Sequence, residues 1–257
     1  MSVTKAVVLA GGLGKRLKPL TDNTPKPLIE VAGKPIIVHQ MNWLKRFGIE
    51  EFIVTIGHLK ERFMEVLGSG KRYGVHVSYV VEEEPLGTAG GLNNAEPLLD
   101  REEAFYVVNG DVITDIDLRG LSDGLEEGFI GVLALVPLPS PYGVVVSSNE
   151  GVIKRFDEKP LLREHWINAG VYLFKPKIFD HLPERGDLER AVFPRLAKMG
   201  KLRAVKYPNS EIWKSIDTWK DLEEAEEMLK RLNFLKPGDH PLEKTFKPYA
   251  GDRQGKG

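Results

Sequence analysis

Two hydrophobic periods alternate along the first half of the chain. Lys5–Ala10 (KAVVLA) is a continuous apolar, largely β-branched run, the mark of a strand buried on both faces. Ile37, Met41, Leu44 and Phe47 then recur at three- and four-residue spacing, which predicts a helix over Ile36–Phe47 stopped by Gly48. The change of period repeats. Glu51–Ile56 reads as a strand, Leu59–Leu67 as a helix ending at Gly68, Val75–Val81 as an alternating strand, Thr88–Leu98 as a helix, and Ala104–Asn109 as a buried strand. Strands that alternate with helices predict an α/β fold with a doubly wound, mostly parallel sheet.

The second half is richer in short strand patterns: Phe129–Val136, Tyr142–Ser147, Val152–Phe156, Ala169–Phe174 and Leu202–Tyr207. Asp187–Met199 reads as a helix. Thr218–Leu232 has the clearest helical stripe, through Trp219, Leu222, Ala225, Leu229 and Leu232, and Thr218 with Asp221 at its start resembles a capping box. Beyond Asn233 the pattern fades into Pro-, Gly- and charge-rich sequence, and Asp252–Gly257 is expected to be a frayed tail. No internal repeat and no hexapeptide β-helix pattern is seen, so no β-helix is expected after the core. The expected organisation is one domain over 1–235, with halves of about 1–115 and 116–235, followed by a tail over 236–257.

Composition narrows the chemistry. With 36 basic and 37 acidic side chains the formal net charge is −1, without the basic excess of a dedicated nucleic-acid binder, although a local basic patch at a phosphate site is compatible with it. There is no cysteine, which rules out disulfides, thiol nucleophiles and cysteine-ligated metal within this sequence. The apolar run Ala6–Ala10 is too short for a leader or a membrane span, so a soluble, cytoplasmic protein is expected. The six histidines show no HExxH spacing, and no GxSxG elbow is present. Glycine, at 26 residues, is more frequent than the usual share of roughly 7% and directs attention to glycine-dependent loops.

One such loop follows the first strand: Gly11-Gly12-Leu13-Gly14-Lys15-Arg16. Open α/β sheets bind ligands at the carboxyl ends of their strands, and glycines let backbone N–H groups approach phosphate oxygens. Neither familiar motif fits. A P-loop needs Ser or Thr after its lysine, where Arg16 stands, and a dinucleotide fingerprint needs a small residue at Leu17. Further on, Lys26 lies between Pro25 and Pro27, whose rings stiffen the segment and disfavour helix, so an exposed but pre-aimed cation is expected there. Asp111 ends a buried strand in Asn109-Gly110-Asp111, a suitable place for a carboxylate that shares Mg²⁺ with phosphate oxygens.

The run from Gly11 through Leu17-Lys18-Pro19-Leu20-Thr21 to Pro25-Lys26-Pro27-Leu28 resembles the GGxGxRLxPLTxxxPKPL pattern of the sugar-phosphate nucleotidyltransferases, over about residues 4–230. The resemblance implies a Rossmann-like nucleotide-binding half joined to a sugar-binding half. It implies a reaction of NTP with sugar 1-phosphate that gives NDP-sugar and pyrophosphate, with Mg²⁺ as cofactor. The implied partners are these small molecules, with no nucleic acid and no membrane, and the number of copies is left open, a homo-oligomer included. By that resemblance Leu9, Ala10, Gly11, Gly12, Gly14, Lys15 and Gly110 face the nucleotide. Arg16 holds the leaving pyrophosphate, Lys26 the α/β-phosphates, and Asp111 the metal. Glu158-Lys159-Pro160 resembles the family's EKP motif, with Lys159 on the sugar phosphate and Glu158 on sugar hydroxyls. Asn168 and Gly143 match its sugar contacts.

Two positions depart from the pattern or leave it open. The family's usual WxDxGT reads here Trp213-Lys214-Ser215-Ile216-Asp217-Thr218, with Ser215 at the usual aspartate; the expected second metal ligand is Asp217, as in the cytidylyltransferase-like variant WxxxDT. Glu82–Gly91 (EEEPLGTAGG) resembles the base-binding segment, with Glu82, Pro85, Gly87 and Thr88 near the base, and EPLGTAG resembles GDP-mannose pyrophosphorylases. A carboxylate only accepts hydrogen bonds, and guanine offers two adjacent donors, so Glu82 leans toward guanine. Thymidylyl-, uridylyl- and cytidylyltransferase readings stay open, as does a regulatory paralogue that binds an NDP-sugar without turnover.

Overall fold

The computed structural model describes residues 3–210 and 212–235. In chain order β1 (Lys5–Leu9) leads through three short 3₁₀ turns to the small hairpin β2 (Glu30–Val31) and β3 (Lys34–Pro35). Then come α1 (Ile36–Lys45), β4 (Glu51–Ile56), α2 (Lys60–Leu67), β5 (His76–Val81), α3 (Gly87–Asn93), β6 (Phe105–Asn109), β7 (Val112–Thr114) and α4 (Arg119–Gly124). The second half adds β8 (Gly131–Pro139), β9 (Val144–Ser147), β10 (Ile153–Asp157), β11 (Leu161–Phe174), α5 (Phe193–Lys198), β12 (Leu202–Lys206), β13 (Trp213–Ser215) and α6 (Trp219–Leu235).

One seven-stranded sheet, in the order β12-β8-β11-β6-β1-β4-β5, crosses both halves. β1 runs parallel to β4 and β6, β4 to β5, and β8 to β12; only β11 is antiparallel, to β6 on one side and β8 on the other. This is the expected mostly parallel α/β sheet. The period of two along β1 sends Ala6 and Val8 to one face, with Met41, Phe52 and Val54, and Val7 to the other, with Ile53, Phe105 and Tyr172. Both faces are covered, which is why the early strands are apolar throughout. A third cluster, Leu17, Ile29, Ile36, Ile113, Ile216 and Ala225, ties the segment after the glycine loop to α6. Leu17 is fully buried, worth about 1.5–3 kcal/mol for a side chain of its size, so it anchors the loop that ends at Arg16.

The structure corrects several expected elements. The helix expected over Thr88–Leu98 is α3, which stops at Asn93, and a separate 3₁₀ turn covers Glu96–Leu98; Pro97 has no N–H to continue an α-helix. The helix expected over Asp187–Met199 is a π-helical turn, Leu188–Val192, leading into α5. β11 begins at Leu161, well before the expected strand at Ala169. Leu161 and Leu162 pair with Pro139 and Leu138 of β8, the exposed Arg163–His165 fall in a register shift, and pairing resumes at Trp166, so no clean apolar alternation marks this stretch. β2, β3, β7, β13 and α4 are too short to leave a periodic signal. The capping box is present: Asp221 N–H donates to Thr218 Oγ1 at 3.3 Å, and Thr218 N–H donates to Asp221 Oδ2 at 2.8 Å. The side chain of Leu232, the tail over 236–257 and the expected fraying of Asp252–Gly257 lie outside what is described.

Candidate active site

A cleft of about 470 Å³ opens at the carboxyl ends of β1, β4 and β6. Its wall contains every expected nucleotide contact: Leu9, Ala10, Gly11, Gly12, Gly14, Lys15, Glu82, Pro85, Gly87, Thr88 and Gly110. Arg16, Lys26, Asp111 and Asp217 share it. β1 delivers the loop here because Ala10 N–H is bound by Thr55 of the neighbouring β4, through the carbonyl at 3.1 Å and Oγ1 at 3.2 Å. Gly14 is required by its backbone conformation, and Gly11 packs tightly against the Glu82 carboxylate. A Cβ on Gly11 would lie 2.4 Å from Glu82 Oε1, and Gly14 has φ +58°, a left-handed conformation that costs other residues more. Thr21 Oγ1 closes the loop by donating to the Gly14 carbonyl at 3.0 Å.

Four charged groups meet at the edge of this loop. Lys26 Nζ lies 2.6 Å from Asp111 Oδ2 and 2.7 Å from Asp217 Oδ1, while Arg16 donates to the same Asp217 oxygen at 2.8 Å. The expected exposure of Lys26 is corrected: its side chain is only 13% exposed. The flanking prolines do not prevent helical turning either, since Lys26–Leu28 is a 3₁₀ turn with Pro27 at an early position where its missing N–H costs nothing. Arg16, 72% exposed, is the most solvent-facing member of the cluster.

Asp111 and Asp217 are far apart in sequence and are joined by strand pairing. β13 runs antiparallel to β7 with Ser215 opposite Val112, and Ile216 N–H donates to the Asp111 carbonyl at 2.9 Å. The register sets Asp217 beside Asp111. Ser215 occupies a ladder position and is not in the cleft wall. Among the described residues no three His, Cys, Asp or Glu side chains gather as a metal site.

Beside Gly11, Glu82 is 7% exposed, and burial raises its carboxyl above the usual range, against hydrogen bonds that favour the charged form. Leu86 N–H donates to Glu82 Oε2 at 3.2 Å. Thr88 Oγ1 accepts from Leu188 N–H at 2.8 Å and donates to Glu189 Oε2 at 3.0 Å, which ties α3 to the π-helical turn of the second half. That turn brings Asp187 into the wall. Sequence reading did not assign Leu13, Pro27, Thr55, Asn109 and Asp187 of this wall to the site; Asn109 ends one expected strand and Thr55 is next to the end of another, a usable signal, while Asp187 begins the helix expected over Asp187–Met199.

The expected sugar-side residues are not in this wall. Gly143 and Glu158 sit together, a Cβ on Gly143 falling 2.9 Å from Glu158 Oε2, and Lys159 Nζ is 3.8 Å from Glu158 Oε1. Lys159 itself has φ +47°, a strained conformation for a residue with a Cβ. Asn168 Nδ2 donates to the Tyr172 hydroxyl at 2.7 Å, and that hydroxyl, its ionisation pushed far up by burial, faces Glu189 Oε1 at 3.4 Å. A polar chain thus runs from Asn168 through Tyr172 and Glu189 to Thr88 in the cleft.

A glycine loop, two joined aspartates and two cations thus meet at the carboxyl ends of parallel strands. The nucleotidyl transferase family matches residues 5–231, and the chain belongs to that family. It is 38% identical over 226 residues to mannose-1-phosphate guanyltransferase beta-A of Xenopus laevis, covering 84% of this chain and 62% of that protein. It is 39% identical to the mannose-1-phosphate guanylyltransferase catalytic subunit beta of Danio rerio, with the same coverage. The chain therefore spans about three-fifths of the length of these curated relatives. HddC from Yersinia pseudotuberculosis superposes with a TM-score of 0.69 at 25% identity, covering 88% of this chain and all of that one. The inositol-1-phosphate CTP transferase from T. maritima shares the fold at 22% identity, TM-score 0.69, over 91% of this chain and 97% of that one. No helix among the described residues is long and apolar enough to cross a membrane.

Proposed function

We propose that this chain condenses an NTP with a sugar 1-phosphate to give NDP-sugar and pyrophosphate, and that its substrates are GTP and mannose 1-phosphate. The observation that carries this reading is the contact of Lys26 with both Asp111 and Asp217 at the mouth of the glycine loop. The identity to mannose-1-phosphate guanylyltransferases and the carboxylate of Glu82 support the choice of base and sugar. A nearly neutral chain without cysteine suits a cytoplasmic setting.

In the reaction an oxygen of the sugar phosphate attacks the α-phosphorus of the NTP in line, and the bond from that phosphorus to the pyrophosphate oxygen breaks. The chain's task is positioning and charge neutralisation. The N–H groups of the glycine loop cradle the phosphates. Lys26, held nearly buried, offers a preorganised positive charge to the transferring phosphoryl group. Arg16 forms a fork of donors for the leaving pyrophosphate. Glu82 accepts from guanine N1–H and N2–H₂, while Lys159 holds the sugar phosphate, with Glu158, Gly143 and Asn168 toward the sugar.

Mg²⁺ is the cofactor that fits this donor set. Asp111 and Asp217 both approach one cation here, and two carboxylates leave room for the phosphate oxygens and water that Mg²⁺ prefers. When bound, it supplies neutralisation of phosphate charge. The division into a nucleotide half of about 1–115 and a sugar half of about 116–235 is part of the same proposal.

The test is direct. The protein is incubated with Mg²⁺ and each of four NTPs against mannose, glucose and N-acetylglucosamine 1-phosphates, and pyrophosphate is measured. Release that needs GTP and mannose 1-phosphate is expected. Preference for another pair would replace the substrates. No pyrophosphate from any pair, with NDP-sugar still bound, would replace the enzyme by a sensor.

A further inference from the structure

The inward face of α1 is lined by Ile37, Met41 and Leu44, and among them lies one amide, Gln40, only 1% exposed. Its Nε2 donates to the carbonyls of Asn109 and Val112, both at 2.8 Å. These carbonyls flank Gly110-Asp111, so a single side chain bridges the turn that carries Asp111. The orientation is compulsory: turning the amide over would aim Oε1 at two carbonyl oxygens. Oε1 has no hydrogen-bond partner among the described residues. A buried polar group left half-satisfied is costly, and an apolar side chain would spare that cost only by taking the donor away from both carbonyls. What the amide supplies to this turn is its two donors. Ile216, the residue after β13, holds the same turn by donating its N–H to the Asp111 carbonyl.

We propose that Gln40 is a positioning residue of the phosphate site: it fixes the Gly110-Asp111 turn so that the Asp111 carboxylate stays beside Lys26 and Asp217. Gln40 touches no substrate and moves no proton; it acts through the backbone on either side of Asp111. The proposal rests on the reading of Asp111 as a metal-phosphate carboxylate given above.

The experiment compares wild type with Gln40→Met, which keeps length and bulk but cannot donate, and Gln40→Asn, which keeps the amide but is one CH₂ too short to span both carbonyls. Amide hydrogen exchange is followed in segments 105–114, 5–9 and 51–56. Mn²⁺ binding in the presence of GTP is followed by electron paramagnetic resonance, and kcat and KM are measured. Exchange in 105–114 should rise about tenfold in both variants with the other two segments within about twofold. Mn²⁺ affinity should fall about 10–100-fold, as when an outer partner of a metal ligand is lost. The KM for sugar 1-phosphate should stay within about twofold of wild type. Unchanged exchange in 105–114, unchanged Mn²⁺ affinity, or a loss of protection spread evenly over all three segments overturns the proposal. If Gln40→Met does not fold, Gln40→Asn decides by the same readouts. If wild type itself binds no Mn²⁺ with GTP, the functional reading falls, while hydrogen exchange still judges the clamp.

Discussion

At the scale of single residues, burial decides what each charge can do. Lys26 is almost enclosed by two carboxylates, so its charge is already placed before substrate arrives. Lys26→Ala is expected to lower kcat by on the order of 10²-fold, as loss of a preorganised charge does. The melting temperature should drop as well, because Asp111 and Asp217 are left facing each other. Turnover within about threefold of wild type would falsify the assignment. Glu82 carries a different consequence. Burial holds its carboxyl above the ordinary value of 4.5, so the folded chain binds that proton more tightly than the unfolded one. The stability it contributes is whole below the ordinary value and is lost as pH rises through the raised one. Glu82→Gln, neutral throughout, should therefore melt higher than wild type near pH 8, and the gap should close toward pH 4. A gap that is the same at both pH values counts against a raised carboxyl. Lys26 was legible as a candidate from its motif, but its burial was not, since the carboxylates that cover it come from distant positions.

At the scale of elements, a three-residue strand pair does the assembling. β7 and β13 bring Asp217 to Asp111, and Ser215 is consumed by the ladder. Asp217→Asn should reduce turnover by on the order of 10²-fold and raise the Mg²⁺ concentration needed. Ser215→Ala should stay within about twofold, since its hydroxyl points to no cleft role. Steady-state rates across a Mg²⁺ titration separate the two, and equal losses would reject Asp217 as the ligand. The cap of α6 is independent of that role. Thr218→Ala should cost about 1 kcal/mol in chemical denaturation while keeping turnover far closer to wild type than Asp217→Asn does. The capping box was readable from Thr218 and Asp221 alone because its partners are three residues apart. β7 and β13 were not, because so short a ladder leaves no period and exists only by pairing.

At the scale of the whole molecule, the cleft belongs to the carboxyl ends of the interior parallel strands β6, β1 and β4, and the second half reaches it through Asp187, Asp217 and the chain from Asn168 to Thr88. Lys159 stands apart, on a strained turn beside Glu158. Lys159→Ala is expected to raise the KM for sugar 1-phosphate by on the order of tenfold or more and to leave the KM for NTP near wild type; parallel changes in both would mean a structural role. The sequence by itself determined the alternation of β1 to β6, the glycine loop after β1, and the cap of α6. These are local: a period of two or 3.6, a backbone that needs glycine, a hydrogen bond across one turn. Tertiary structure alone decided that β11 starts early against β8, that Asp187 enters the wall, that Lys26 is enclosed, and that Gln40 clamps the Asp111 turn. Each depends on which distant backbone groups are left to be bonded once the sheet has closed, and no local pattern of side chains records that.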